Sequence, residues 1–290
     1  EKPEGMSPRA FSYPVWRGEK AFAQAVLWTE CDINDVSLKV TDLNGEDGGI
    51  PSDAVKAQFV RYVWADDLIE GYGQCVYRPK GEYDSLLVAD MVDIAAKTDV
   101  PARHCQPIWL TVQVPVSTTP GVYSGTLMVR GRDFRKMSLP IEIHVADEVL
   151  PAASDWKFHL DLWQNPYAVA RVHNVELWSS EHFKVLRSYM LKLASGGQKA
   201  ITATLIDRPW DGQTYDPFGS MVTWIKKADG TWLYDFTIFD RWVEFMMSCG
   251  IDKEITCFSM IPWKLSFRYY DQATHSHKYI NCAPGEEAYS

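Results

Sequence analysis

Apolar and polar positions alternate along the first half of the chain. Val36, Leu38 and Val40 are separated by Ser37 and Lys39. Leu110, Val112 and Val114 are separated by Thr111 and Gln113. Leu139, Ile141, Ile143 and Val145 repeat the pattern. A period of two buries one face of a strand and leaves the other wet. Thr119-Pro120-Gly121 punctuates two such runs as a turn. Several short alternating strands with turns predict a β-sandwich up to about Ala146, interrupted by a long, less regular insertion from Ala65 to His104.

The period changes near Leu150-Pro151. Lys157 to Leu162 reads as a buried strand. Ser179 or Ser180 is suited to cap a helix whose face is Phe183, Leu186, Met190 and Leu193, with Gly196-Gly197 as its stop. Ala200 to Ile206 reads as a second strand. Thr237 and Asp240 have capping-box spacing ahead of Ile238, Trp242, Phe245 and Cys249, and Gly250 ends that helix. Glu254 to Met260 reads as a third strand. The order β-α-β-α-β, with long segments after each strand, is how a (β/α)₈ barrel begins. An open doubly wound sheet has the same order, but no Gly-rich phosphate loop follows the first strand. The expected fold class is therefore multidomain β and α/β. Residues 1–148 form the sandwich, and 149–290 form the first β/α units of a barrel. Barrels take roughly 250 residues, so the barrel is expected to be incomplete here.

Composition narrows the function. The 290 residues carry a formal net charge of −9, which disfavours nucleic acid as a partner. Aromatic residues make up 13% of the chain, including 12 Trp; such rings fill cores and also stack on the C–H faces of sugars. No apolar run reaches the ~18 residues of a membrane helix. The six cysteines, among them Cys75, form no C-x-x-C pair, so a zinc site is not expected and buried free thiols are. His173, His182, His275 and His277 lack the H-E-x-x-H spacing of a helical metal site. There is no G-x-S-x-G elbow. Neither metal nor cofactor is expected.

Candidate chemistry sits after the strands, where a barrel carries its active site. The first expected strand runs through His159, Asp161 and Trp163 into Gln164-Asn165-Pro166-Tyr167. The second runs into Asp207-Arg208-Pro209-Trp210-Asp211 and on to Tyr215. The third runs into Trp263, with Arg268 and Asp271 expected to pair. His159, Asp161, Trp163, Trp210, Tyr215 and Trp263 are the candidate substrate-binding residues. The carboxylate can hold sugar hydroxyls and the rings can wall a pocket. Inside a barrel, His159 and Asp161 can equally be satisfied structural groups. The six aromatic residues from Trp224 to Trp242 are expected to be mostly core.

Trp156 to Tyr167, Pro209 to Tyr215 and Ile261 to Tyr269 resemble the corresponding strings of glycoside hydrolase family 123. So do Trp16-Arg17-Gly18-Glu19-Lys20 and Gln106-Pro107-Ile108-Trp109-Leu110. The resemblance implies an N-terminal sandwich, a catalytic barrel, and removal of β-linked N-acetylgalactosamine from glycans. It also implies a retaining mechanism in which the sugar's own 2-acetamido oxygen attacks the anomeric carbon. An adjacent Asp-Glu pair on a later barrel strand serves that reaction. The single Asp-Glu dipeptide here is Asp147-Glu148, at the end of the sandwich, where a linker is expected. No catalytic residue is therefore assigned within this chain. The pair is expected beyond Ser290, with the remainder of the barrel as a partner, and an extracytoplasmic location is expected for an enzyme of glycans. A non-catalytic protein that binds glycan through its sandwich is the alternative.

Overall fold

The computed structural model describes residues 11–68, 83–132, 134–258 and 260–289. The chain divides into two compact units, Glu1–Pro151 and Ala152–Ser290.

Among the described residues, eleven strands build the N-terminal unit: β1 (Phe11–Arg17), β2 (Lys20–Trp28), β3 (Ile33–Val40), β4 (Leu43–Gly45), β5 (Gly48–Ile50), β6 (Val55–Leu68), β7 (Tyr83–Val92), β8 (Lys97–Val100), β9 (Cys105–Gln113), β10 (Gly121–Gly131) and β11 (Phe134–Val149). One sheet follows the order β1-β11-β10-β3-β8, with β4 paired to β10 and β5 paired to β4. The other is β2-β9-β6-β7. Their inward residues share one core: Val36, Leu127, Ile141 and Ile143 from the first sheet, and Phe59, Ile108, Leu110 and Val112 from the second. Every alternating run named above thus points its apolar set inward, as a half-buried strand must, and the sheets form a β-sandwich. The Trp16-Arg17-Gly18-Glu19-Lys20 string is the β1–β2 turn. Gly18 adopts φ +85 there, and the Glu19 carboxylate accepts the Trp16 N–H at 2.8 Å.

Three expectations change. Most of the described part of Ala65 to His104 is regular, because β6 and β7 pair as a hairpin from Val60↔Val92 to Leu68↔Tyr83. Asp147-Glu148 is not linker: both lie in β11, and Arg17 donates to the Asp147 carbonyl at 2.7 Å. Buried thiols are found at Cys249 and Cys282, whereas Cys31 and Cys257 are exposed. Cys75 lies outside the described residues.

The C-terminal unit contains α1 (Pro166–His173), α2 (Ser180–Ser195), β12 (Ala200–Thr204), β13 (Thr223–Lys226), β14 (Trp232–Asp235), α3 (Thr237–Ser248), β15 (Glu254–Phe258), β16 (Ser266–Asp271) and β17 (Ser276–Asn281). Ser179 caps α2 by accepting the His182 N–H at 3.1 Å. Its expected face, Phe183, Leu186 and Met190, packs with Trp242 and Met246 of α3 against Ile201 and Ala203 of β12. Helix α3 lacks the expected Thr237/Asp240 box: its N-cap is Phe236, with no side-chain cap bond, and Asp235 just before it accepts the Thr237 N–H at 2.9 Å. β12 and β15 pair in parallel from Ala200↔Glu254 to Thr204↔Phe258. β14, β13, β16 and β17 form a separate four-stranded sheet from the segments that follow β12 and β15.

The expected first strand, Lys157 to Leu162, makes no regular ladder and bends at Phe158. Two glutamine side chains stand where a neighbouring backbone would. Gln198 accepts the Leu162 N–H at 2.9 Å and donates to the Ala200 carbonyl at 2.7 Å. Gln164 accepts the Thr202 N–H at 2.8 Å and donates to the Leu162 carbonyl. A side-chain amide offers the same donor and acceptor as a peptide group, so the segment is held beside β12 while ladder periodicity is lost.

Candidate functional site

Gln164, almost fully buried, is the peg of the site. Its backbone N–H reaches Thr202 Oγ1 at 3.2 Å while its side chain grips β12. This fixes Trp163 immediately before it. The ring of Trp163 stacks on Trp210, with centroids 4.7 Å apart and planes 23° apart. Phe258, the last residue of β15, closes the group at 4.6 Å from Trp163 and 5.0 Å from Trp210. Phe218 meets Trp210 edge-on at 5.0 Å. Three segments that follow one another only after long detours thus meet at the C-terminal ends of two parallel strands. Trp163 stays 52% exposed, so one part of this cluster is packed and another faces solvent.

The loop bearing Trp263 is drawn to the same place. The Trp263 N–H donates to the Pro209 carbonyl at 3.0 Å, and Lys264 Nζ lies 2.9 Å from Asp211 Oδ1. Trp263 itself is 64% exposed. Tyr215, at 86% exposure, is not part of the cluster. The Arg171 guanidinium of α1 covers its ring at 4.7 Å, and Arg171 holds Asp216 through two bonds of 2.7 and 2.8 Å.

The two polar candidates separate. The Leu160 carbonyl accepts the Lys199 N–H at 2.9 Å, which sets His159 level with the start of β12. Its Nδ1 lies 3.9 Å from Oε2 of Glu254, the first residue of β15, and its side chain is exposed. His159 therefore stands at the N-terminal ends of the strands, away from the rings. The register that seats Trp163 at one end requires this. Asp161 is two residues from Trp163, and its Oδ1 is buried without a hydrogen-bond partner among the described residues. Leaving a carboxylate oxygen so placed costs free energy, which marks it as an acceptor that a hydroxyl donor would satisfy.

The remaining carboxylates are neutralised in pairs. Hydrogen bonding to Lys264 holds the Asp211 carboxyl below its ordinary range, and hydrogen bonding to Arg171 does the same for Asp216. Asp207 faces Arg268 at 4.0 Å. The Arg268–Asp271 pair expected from sequence is therefore not formed; Asp271 holds Lys278 at 2.7 Å. A general acid for glycoside cleavage needs a raised pKa, so neither Asp211 nor Asp216 is suited to that role. Burial pushes the Tyr167 hydroxyl up, and it donates to the Gly219 carbonyl at 2.7 Å, which makes it structural. The arrangement offers a partly exposed aromatic surface beside one buried carboxylate oxygen that lacks a partner among the described residues.

Sequence reasoning missed Gln164, Gln198 and Phe258. Asn165-Pro166, placed after the first expected strand with no helix assigned to it, begins α1: Asn165 accepts the Ala168 N–H and Pro166 takes the first helical position. That signal was present.

The comparisons with known proteins bear on the fold and the family. A solved family 123 glycoside hydrolase from Clostridium perfringens, studied for glycolipid glycan hydrolysis, matches with a TM-score of 0.87 and 24% identity. The match covers 97% of this chain and 48% of that one, so the chain spans about half of that protein's length. Such identity establishes likeness of fold. A PapD-like domain of human CEP192 matches with a TM-score of 0.24, at 10% identity over 51% of this chain and 94% of that one. A Bacteroides ovatus GH5 xyloglucanase matches with a TM-score of 0.25, at 6% identity over 89% and 46%. Neither carries an argument. No curated protein sequence matches the chain. The family model described as "Glycoside hydrolase 123 N-terminal domain" matches residues 2–131, and that described as "Glycoside hydrolase 123, catalytic domain" matches 163–290. The chain belongs to glycoside hydrolase family 123.

Proposed function

We propose that the protein to which this chain belongs hydrolyses glycans that end in β-linked N-acetylgalactosamine, and that this chain supplies the substrate-binding wall. The observation that carries the reading is the Trp163–Trp210–Phe258 cluster, exposed at Trp163 and flanked by Trp263, at the C-terminal ends of two parallel strands. That is the end at which α/β barrels bind substrate. We read β12, α3 and β15, with α2 on the same face, as the first units of such a barrel. Trp163 and Trp263 present rings to the pyranose, and Asp161 accepts a hydrogen bond from a sugar hydroxyl.

The chemistry is substrate-assisted. The 2-acetamido oxygen attacks the anomeric carbon as the glycosidic C–O bond breaks. An acid donates its proton to the departing oxygen, and water then opens the cyclic intermediate with retention. Other substrate-assisted hydrolases likewise depart from the two-carboxylate scheme. The Asp that orients the acetamido group and the Glu that protonates the leaving oxygen are assigned to sequence following Ser290. We assign its site of action outside the cytoplasm, where polymeric glycans occur.

The test is hydrolysis of paired aryl β-glycosides by the protein extended past Ser290. The N-acetylgalactosaminide should be cleaved and the galactoside lacking the acetamido group should not. Equal cleavage of the two overturns the mechanism. Cleavage of neither, by a folded protein, overturns the function.

A further inference from the structure

The aromatic residues expected to be core between Trp224 and Trp242 divide in the structure. Trp242 is buried and Trp224 packs with Phe267 and Ile206. Trp232 and Tyr234 are 36% and 46% exposed. They lie on β14, the edge strand of the β14-β13-β16-β17 sheet. Residues two apart on a strand share a face. Register puts Trp224 and Lys226 of β13 on that same face, opposite Tyr234 and Trp232. The Ile225↔Tyr270 pairing adds Tyr269 of β16 to it.

These rings are held in place. Trp232 and Tyr234 are parallel to within 7°, with centroids 6.5 Å apart. Tyr269 meets Trp232 at 5.2 Å and 67°. Trp224 meets Tyr234 at 5.3 Å and 88°. Trp224 is itself tied down, since its Nε1–H donates to the Leu205 carbonyl at 2.9 Å. Leu205 in turn donates its N–H to the Phe258 carbonyl at 2.9 Å. The aromatic face is thereby anchored to the strand ends that carry the candidate site. Lys226 Nζ stands 5.9 Å from the Trp232 centroid. Among the described residues it has no carboxylate partner, unlike Lys278 on the same face, which Asp271 neutralises.

From this geometry we infer a second sugar-binding surface, formed by Trp232, Tyr234, Tyr269 and Lys226. It receives neutral pyranose units of the glycan beyond the terminal residue. A pyranose has an apolar C–H face and a rim of hydroxyls. Parallel, pre-oriented rings meet the face, and an unneutralised ammonium with two phenol hydroxyls meets the rim. Pre-oriented aromatic side chains lose little rotamer freedom on binding. The inference rests on the reading that the ligand is a glycan, but it concerns different residues from the terminal-sugar site.

Calorimetric titration of the 290-residue protein tests it, using N-acetylgalactosamine and a neutral β-linked tetrasaccharide ending in that sugar. The tetrasaccharide should bind more tightly. Trp232→Ala should weaken tetrasaccharide binding roughly fivefold to tenfold, on the scale of one aromatic contact, and leave the monosaccharide unchanged. Trp163→Ala should weaken both. Trp232→Phe should retain most of the affinity. If Trp232→Ala fails to melt cooperatively, Tyr234→Ala carries the same expectation. The inference is overturned if the parent protein binds both sugars alike or does not bind the tetrasaccharide. It is also overturned if the variant leaves tetrasaccharide affinity unchanged or weakens both sugars equally. Should Trp163→Ala change nothing while Trp232→Ala behaves as expected, the terminal-sugar site falls and this surface stands.

Discussion

Trp163 and Trp210 stack at 4.7 Å although 47 positions apart, and Phe258 packs on both. Their burial differs, so their substitutions should differ. Trp210 is half-buried between Phe218 and Phe258. Trp210→Ala should cost about 2–3 kcal/mol, below the range for a fully buried ring. Trp163→Ala should cost about 1 kcal/mol in urea denaturation yet weaken sugar binding. Equal stability losses with unchanged binding would make the pair purely structural.

Trp263 is held by its backbone and leaves its ring in solvent. Trp263→Ala should leave stability within about 0.5 kcal/mol. Sugar affinity should fall by about 0.5–1.5 kcal/mol, borrowing the scale of aromatic pairs. A fall in stability alone would reassign Trp263 to packing.

Tyr215 depends on Arg171, and Arg171 is oriented by Asp216. Asp216→Asn should free the guanidinium and loosen the Tyr215 loop, seen as faster amide exchange across residues 212–216. Because the Asp216 pKa is lowered by that bond, its stabilisation is complete above the ordinary carboxylate pKa. It is lost as pH falls through the lower folded value. Exchange that is unchanged in Asp216→Asn would show that the loop is held otherwise.

His182 supplies a second pH dependence. It is fully buried, accepts the Trp178 N–H at Nδ1 and donates from Nε2 to the Pro166 carbonyl. Burial pushes its pKa down. A proton on Nδ1 would displace the Trp178 bond, so the folded form wants the neutral ring. Stability should be complete above about pH 6.5 and decline below it, toward the folded pKa. His182→Gln should lower the melting temperature at pH 8 and flatten its slope between pH 6.5 and 5. An equally steep slope in the variant would assign the dependence elsewhere.

Gly197 follows α2 at φ +86, and a Cβ there would lie 2.7 Å from Trp156 Cε3. Gly197→Ala combines backbone strain with overpacking and should cost roughly 1–3 kcal/mol. A melting temperature equal to the parent's would mean that Trp156 yields without cost.

Much of this protein was legible before its structure. Alternation at Leu110-Val112 and Ile141-Ile143 reported the sandwich core, because a strand's period of two is local. Ser179 and the Phe183-Leu186-Met190 face reported α2 for the same kind of reason, a helical period with a capping residue. The Trp-rich strings around Trp163, Trp210 and Trp263 reported the family. What tertiary structure decided was partnership. Lys157 to Leu162 had the composition of a strand, but Gln164 and Gln198 replaced its ladder. His159 and Asp161 were both candidates, yet register sent His159 to Glu254 and left Asp161 with a buried oxygen that has no partner among the described residues. Arg268 took Asp207 rather than Asp271. Trp232 and Tyr234 stayed exposed because β14 became a sheet edge. Periodicity records which side of an element is buried. Which distant group meets it depends on chain paths that no local pattern encodes.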